Sequence, residues 1–149
     1  MQIEDRLALL KKIENIAALA GMQGKIDDDA RQFTMGFKTT EVRGQMVYVR
    51  PSGRTPDGKD IVTVFSPAAV FKKGLFSGFP KERAFELLRL NENTFFARFG
   101  IWENEKESMI VASSDLLLET MDPEELKAHA FYVAFAADGY ESKHGVDNF

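Results

Sequence analysis

The chain has 149 residues, of which 44% are hydrophobic and 28% charged, the composition of an ordinary folded domain and not of a disordered chain. Its net charge is -4, with basic residues interspersed among acidic ones, so the composition disfavours a nucleic-acid partner. The chain contains no cysteine, which excludes disulfides, thiolate nucleophiles and zinc sites built on sulfur. We expect one domain with a single hydrophobic core.

The first half of the chain predicts one helix followed by three strands. Apolar residues at spacings of three and four predict an amphipathic helix over residues 3–20, and the Gly- and Asp-rich residues 21–29 predict a connection. Alternating or β-branched residues then predict strands at 33–37, 46–49 and 61–65. The turn-rich residues 51–58 predict an exposed hairpin loop between the last two strands.

The second half predicts helices at both ends of a strand pair. Ser66-Pro67 resembles a capped helix start, which predicts a short helix ending near Gly74. A better helix follows over residues 80–90, and strands follow over 94–102 and 109–112. The predicted fold is α+β, an antiparallel sheet of about five strands with helices in the order α-β-β-β-α-β-β-α. We expect a single domain over residues 1–140 and a flexible tail over 141–149.

The last helix has the strongest local signal in the chain. Asp122 can cap it, Pro123 suits its first position, and Glu125 can complete a capping box. At 100° per residue the helix has one small apolar face, formed by Leu126, Ala130, Val133, Ala134 and Ala137. An aromatic face lies almost opposite, formed by Ala128, Phe131, Tyr132 and Phe135. The aromatic face is either covered by the sheet and first helix or is the interface of a homodimer, and we predict the dimer interface at these four residues.

A second apolar group lies in a segment punctuated by Gly and Pro. It consists of Val70, Phe71, Leu75, Phe76 and Phe79. Apolar patches on folded proteins often mark interaction sites, so we predict a partner-binding groove there. The alternative is that these side chains close one end of the core.

No residue pattern indicates catalysis, a metal site or a cofactor. His129 and His144 have no ligand partner at metal-binding spacing, and His144 is expected in the frayed tail. Neither histidine has an evident serine to activate, and no G-x-S-x-G motif occurs. The acidic run Asp27-Asp28-Asp29 lacks the Gly and distal Glu of a calcium loop. We therefore predict no catalytic residue, no metal and no cofactor.

The N-terminal residues predict neither secretion nor membrane insertion. They have no apolar signal region, and the longest apolar runs are far shorter than the ~20 residues of a spanning helix. We expect a cytoplasmic protein with no membrane partner.

Three segments carry a resemblance to a known family. They are Leu87-Leu88-Arg89-Leu90-Asn91, the strand over residues 95–101, and the strand-to-helix run over 116–126 with its Asp-Pro-Glu-Glu-Leu. Together they resemble the YbjN family of bacterial proteins, which is similar in fold to the type III secretion chaperones. The resemblance implies an acidic, cytoplasmic, dimeric protein that binds another protein and does not catalyse a reaction. It supplies no catalytic residues.

Three functional hypotheses follow. The leading one is a chaperone-like or regulatory adaptor that holds a protein or peptide client on an apolar surface and forms a homodimer. The second is a small-molecule sensor with its ligand between helix and sheet. The third is an enzyme whose active site is dispersed along the sequence.

Overall fold

The computed structural model describes residues 3–29, 31–74 and 79–144. The elements in chain order are helix α1 Ile3–Leu19, strands β1 Gly24–Asp27, β2 Gln32–Lys38, β3 Gly44–Arg54 and β4 Asp60–Lys72, helix α2 Lys81–Asn93, strands β5 Arg98–Glu103 and β6 Glu107–Leu117, and helix α3 Pro123–His144. This confirms the predicted α+β class with an antiparallel sheet. The sheet has six strands, one more than expected.

The strands lie in the order β1-β2-β3-β4-β6-β5, so the last two strands of the chain join the sheet beside β4 in reversed order. One sheet face is largely apolar along β3, β4 and β6, with Val49 paired to Val64 and Val62 paired to Leu116. Helices α1 and α3 pack on this face, and their inward residues form one core with it. Helix α2 packs on the same face at β5, where it lines a groove with Phe99 and Ile101.

The opposite face of the sheet is covered by none of the three helices that the structure describes. Tyr48 stacks on Phe65 with ring centroids 5.2 Å apart, and Phe65 contacts Trp102 at 4.8 Å. The Arg50 guanidinium lies over the Trp102 ring at 4.5 Å. This row of rings and one cation shields the middle of the sheet where no helix does.

Strand β1 lies within residues 21–29, where the sequence predicted a connection. The sequence gives little sign of it, because the strand has four residues and none is fully buried. Gly24 is required there by close packing: a Cβ atom would lie 2.5 Å from the Phe33 ring and 2.5 Å from the Thr34 carbonyl oxygen. Such an approach of one backbone to its neighbour is a known use of glycine in strands.

The short helix predicted at Ser66-Pro67 is wrong, because β4 continues through it to Lys72. The register shifts between Pro67 and Ala69, and this bulge accommodates a proline in a central strand. The Ser66 hydroxyl donates to the Met46 carbonyl at 2.7 Å instead of capping a helix. The Gln45 side-chain amide donates to the Pro67 carbonyl at 2.9 Å, which joins β3 to β4 beside the bulge.

Helix α3 is longer than expected and continues to His144. The predicted flexible tail therefore begins with helical residues 141–144, and its remaining residues 145–149 lie outside the described part of the chain. The helical pattern at the end of α3 was hard to recognise because two of the buried residues there are charged. Asp138 and Glu141 are both buried, and Arg43 contacts them at 2.6 and 3.6 Å.

Candidate protein-binding surface

Five aromatic side chains form a continuous surface on the helical side of the protein, which we call the aromatic patch. Phe95 is 72% exposed, Phe96 52%, Phe131 43% and Phe135 41%, and Tyr132 is half-buried among them. Phe95 and Phe96 belong to the turn between α2 and β5, and the other three residues belong to α3. Single exposed apolar residues are normal on proteins, but five contiguous aromatic rings are not.

The rings of the aromatic patch contact one another and not only solvent. Tyr132 lies at its centre, with ring centroids 5.2 Å from Phe96, 5.6 Å from Phe131 and 6.4 Å from Phe95. Phe131 stacks on Phe135 at 4.3 Å. These contacts hold the side chains in defined positions, so the patch is already organised before any partner arrives.

Helix α3 produces the aromatic patch because both of its faces are apolar, as the sequence predicted. Its inner face is fully buried against the core, at Leu126, Ala130, Val133, Ala134 and Ala137. The predicted dimer-interface residues lie together on the outer side: Phe131 and Phe135 are exposed, and Ala128 and Tyr132 are half-buried. Intramolecular packing therefore leaves much of the outer face in solvent.

Phe95 and Phe96 were missed as site residues because the sequence analysis assigned them to a strand. The structure places both in the turn before β5, and Phe96 has a φ of 59°, in the left-handed region. A bulky side chain rarely adopts this conformation, because the Cβ atom crowds the following carbonyl oxygen. This backbone conformation places the Phe96 ring against His129, with ring centroids 4.7 Å apart. Unusual backbone conformations of this kind cluster at functional sites.

His129 has a serine partner that the sequence analysis did not foresee. The Ser114 Oγ and His129 Nδ1 atoms are 2.7 Å apart, a hydrogen bond between β6 and α3. Burial lowers the pKa of His129 below its ordinary value, while the negative charge of Glu125 opposes this effect. Ser114 is itself buried, and its hydroxyl holds the imidazole in position. His129 thus supports the aromatic patch from below.

The predicted partner-binding segment is only partly brought together. Phe71 and Phe79 contact edge to face with centroids 5.2 Å apart, and both pack against the core. Val70 pairs with Met109 on the other face of the sheet from Phe71, so it does not line a groove with them. Leu75 and Phe76 lie outside the described residues. For Phe71 and Phe79 the structure favours the alternative of closing the core.

A small apolar groove lies between α2 and the edge strand β5. Its volume is about 250 Å³, and it is lined by Ala84, Leu87, Leu88, Asn91, Phe99, Gly100 and Ile101. The Asn91 side chain forms two hydrogen bonds with the backbone of Phe99. Its oxygen accepts from the Phe99 N–H at 2.6 Å, and its nitrogen donates to the Phe99 carbonyl at 3.2 Å. Asn91 thus holds α2 to the strand and fixes the shape of the groove.

His144 belongs to a charged contact between α2 and α3, not to a frayed tail as predicted. Glu86 accepts from Lys143 at 2.6 Å and from His144 at 3.2 Å. Arg83 contacts the His144 ring and donates to the Tyr140 hydroxyl at 3.4 Å. The hydrogen bond from Lys143 and the charges of both partners lower the pKa of the Glu86 carboxyl. These contacts hold the end of α3 against α2.

Within residues 3–29, 31–74 and 79–144, no cluster of three or more His, Asp or Glu side chains is suited to hold a metal ion. None of the helices in these ranges combines the length and hydropathy needed to cross a bilayer. The sequence matches no protein-family model, and no curated protein is similar to it at a significant level.

Proposed function

We propose that this protein is a non-catalytic protein-binding module, chaperone-like or regulatory, that holds a partner segment on the aromatic patch in the cytoplasm. The observation that carries the proposal is the ordered exposure of Phe95, Phe96, Phe131 and Phe135 around Tyr132. The resemblance of the sequence to the YbjN family supports the same class of function.

Physical chemistry favours a protein as the partner of such a surface. Exposed phenylalanine rings gain roughly 25 cal/mol for each Å² of apolar area that a partner removes from water. Aromatic side chains also lose little conformational entropy on binding, which is why they are frequent at the energetic centres of protein interfaces. The mutual ring contacts of the patch lower that entropy loss further.

The experiment that tests this function places a photo-crosslinking phenylalanine analogue at Phe95 in the full chain, expressed in its own cells. The matched control carries the analogue at Phe85, which is 63% exposed on α2 and lies outside the aromatic patch. We expect one defined polypeptide to be captured from Phe95 and not from Phe85, and a second change, Phe131→Ser, to abolish the capture. Equal capture from both positions, or capture that survives Phe131→Ser, would overturn the proposal.

A second candidate function is a small-molecule sensor, which the groove between α2 and β5 favours. The groove has apolar walls at Leu87, Leu88 and Ile101 and a polar group at Asn91, a composition typical of small-ligand sites. A ligand there would raise the melting temperature of the protein in a metabolite screen, because it binds the folded state alone. The replacement Leu88→Asp would remove that rise, whereas Phe131→Ser would leave it unchanged.

A further inference from the structure

We propose that Asp57 is a site of spontaneous backbone isomerisation in this protein, and that Thr55 and Lys59 slow the reaction in the folded chain. Asp57 precedes Gly58 at the tip of the hairpin between β3 and β4. In an Asp-Gly pair the glycine nitrogen can attack the neighbouring carboxyl group, because glycine has no side chain to hinder a close approach. The site lies outside the aromatic patch and is independent of the proposed function.

The reaction has two steps, and the water lost in the first is regained in the second. The Gly58 nitrogen forms a bond to Asp57 Cγ, and the carboxyl hydroxyl leaves with the amide proton as water, which closes a five-membered succinimide ring. Solvent water then opens the ring at one of its two carbonyl groups. Opening at the side-chain carbonyl restores aspartate, whereas opening at the main-chain carbonyl leaves isoaspartate, in which the chain runs through Asp57 Cβ and Cγ. The Asp57 side chain is 64% exposed, so water has access to the ring.

The backbone of the hairpin keeps the reacting atoms apart. The Gly58 N–H donates to the Thr55 carbonyl at 2.9 Å, which defines a β-turn over residues 55–58. Arg31 and Phe96 are the non-glycine residues with positive φ among those the structure describes, so the φ of Asp57 is negative and the turn is type I, not type II. The third residue of a type I turn has a ψ of about 0°. Ring closure needs the Gly58 nitrogen eclipsed with Asp57 Cβ, a large rotation away from this value.

The hydrogen bonds around the turn oppose that rotation. Gly58 has a φ of 87°, the left-handed conformation that follows a type I turn in three-residue hairpin loops. The Thr55 N–H donates to the Lys59 carbonyl at 2.9 Å, and the Lys59 N–H donates to Thr55 Oγ1 at 3.0 Å. Ring closure also breaks the bond from Gly58 to Thr55, because the nitrogen loses its proton. The reaction therefore requires the tip of the hairpin to open.

Two side chains bind the Asp57 carboxylate and make it less reactive. The Thr55 hydroxyl donates to Oδ1 at 2.5 Å, and Lys59 Nζ lies 3.3 Å from Oδ2. The hydrogen bond from Thr55, followed by the one from Lys59, lowers the pKa of Asp57 below its ordinary value. Only the protonated acid can release water as its leaving group. A pKa lower by one unit leaves about tenfold less of that acid at neutral pH.

A second Asp-Gly pair, Asp138-Gly139, provides an internal control. It lies within α3, where Asp138 is 7% exposed and accepts from Arg43 at 2.6 Å. This pair can react only when α3 unfolds, because the helix fixes its backbone and burial excludes water. Isoaspartate at residue 138 thus reports the opening of the helix, whereas isoaspartate at residue 57 reports the opening of the hairpin alone.

The test incubates the full chain for several weeks at neutral pH and physiological temperature and locates isoaspartate by peptide mass spectrometry. A protease that cleaves before aspartate leaves isoaspartate uncut and so identifies the site. The variants are Thr55→Val, which removes the hydroxyl, and Lys59→Gln, which removes the charge. The control is Lys81→Gln, at an exposed lysine where α2 begins.

We expect isoaspartate at residue 57 to accumulate severalfold faster in Thr55→Val than in the wild-type chain, because both the turn and the carboxylate lose a bond. The rate should rise less in Lys59→Gln and stay at the wild-type value in Lys81→Gln. Residue 138 should remain unmodified in all four chains. Equal rates at residue 57 in the four chains would overturn the proposal, as would faster reaction at residue 138 than at residue 57 in the wild-type chain.

Lys59→Gln keeps the proposal testable if Thr55→Val weakens the whole fold. A general loss of stability would raise isoaspartate at residues 57 and 138 together in Thr55→Val. The Lys59 side chain contacts the carboxylate and takes no part in the backbone bonds of the turn, so its replacement isolates the effect on the carboxyl group. Faster reaction at residue 57 alone in Lys59→Gln would then support the proposal, and an unchanged rate there would refute it.

Discussion

The stability of the fold depends on pH through the titration of His129. Burial lowers its pKa in the folded state, so the unfolded chain, with an ordinary pKa of 6.5, binds the proton more readily. Stability therefore falls as pH drops through the unfolded pKa toward the folded one. Carboxylates such as Glu86 and Glu103, whose pKa values are lowered, contribute stability that is lost only at more acidic pH. At mildly acidic pH, the loss of stability from these three groups therefore comes from His129.

The variant His129→Gln isolates this effect. Its amide can still bond Ser114 but cannot titrate, so we expect the free energy of unfolding to decline less between neutral and mildly acidic pH than in the wild-type chain. Urea unfolding at several pH values measures this, with His144→Gln as the control. An identical decline in His129→Gln and wild type would contradict the prediction.

Asp122 caps α3, as the sequence predicted. Its Oδ1 accepts from the Glu125 N–H at 2.8 Å. We expect Asp122→Ala to lower the free energy of unfolding by about 1 kcal/mol, the usual effect of removing an N-cap, and Asp122→Asn to lower it far less. Chemical denaturation of the two variants gives the comparison. Equal losses would show that charge at the helix end matters more than the capping bond.

At the scale of elements, the turn before β5 holds Phe96 in an unfavourable backbone conformation. This conformation places the Phe96 ring against His129. Phe96→Asn removes ring contacts with His129 and Tyr132 but suits a left-handed residue, which relieves roughly 1 kcal/mol of strain. We expect the variant to lose less than about 1 kcal/mol of stability and to capture less partner through a Phe95 photo-crosslinker. Phe99→Asn, at a half-buried ring that packs against the core, should lose about 2 kcal/mol or more. Thermal melts measure the stability, and photo-crosslinking from position 95 measures the capture. A severe loss of stability in Phe96→Asn would show that the ring serves the core.

The contact of α2 with α3 depends on one carboxylate. Glu86 accepts from both Lys143 and His144, so we expect Glu86→Gln to loosen α2 without unfolding the sheet. Hydrogen exchange should show reduced amide protection in α2 and unchanged protection in β4. Glu92→Gln, an exposed position on the same helix, is the control. Unchanged protection of α2 in Glu86→Gln would show that packing alone holds the helix.

The elements differ in how far the sequence predicted them, and the reasons are physical. α1, α2 and α3 have strong periodicity or capping residues and were recognised. β4 was cut short at Ser66-Pro67 because this pair favours a helix start locally, whereas the bulge and the bond from Gln45 to Pro67 are tertiary features. β1 has no internal pattern, since its pairing with β2 alone makes it a strand.

The candidate surface was also only half predictable. The outer residues of α3 follow from helical projection, because two apolar faces cannot both be buried against one sheet. Phe95 and Phe96 could not be assigned to the same surface, since their position depends on the left-handed backbone of Phe96. Phe71 and Phe79 were predicted to bind a partner because the sequence showed no sign that β4 extends through Phe71. In that strand Phe71 packs against the core together with Phe79.

At the scale of the whole molecule, the aromatic patch and the row of rings around Trp102 lie on opposite sides of the sheet. The only tryptophan, Trp102, contacts Phe65 and Arg50 on the face away from the helices. We expect its fluorescence to stay constant on dilution, because the exposed rings of α3 lie on the other side of the sheet, and to shift to longer wavelength on unfolding. Dilution series and urea titrations provide the two readouts. A shift on dilution would indicate association through the sheet face.

The pair of hydrogen bonds from Asn91 to Phe99 has a consequence for the behaviour of concentrated protein. Exposed strand edges are templates on which other molecules add strands, the first step of fibril growth. Here the amide of a helix residue occupies the place of a neighbouring strand at one end of the sheet, and at the other end β1 is only four residues long. The Asn91 bonds therefore leave fewer free backbone groups on the edge of β5 with which another molecule could pair.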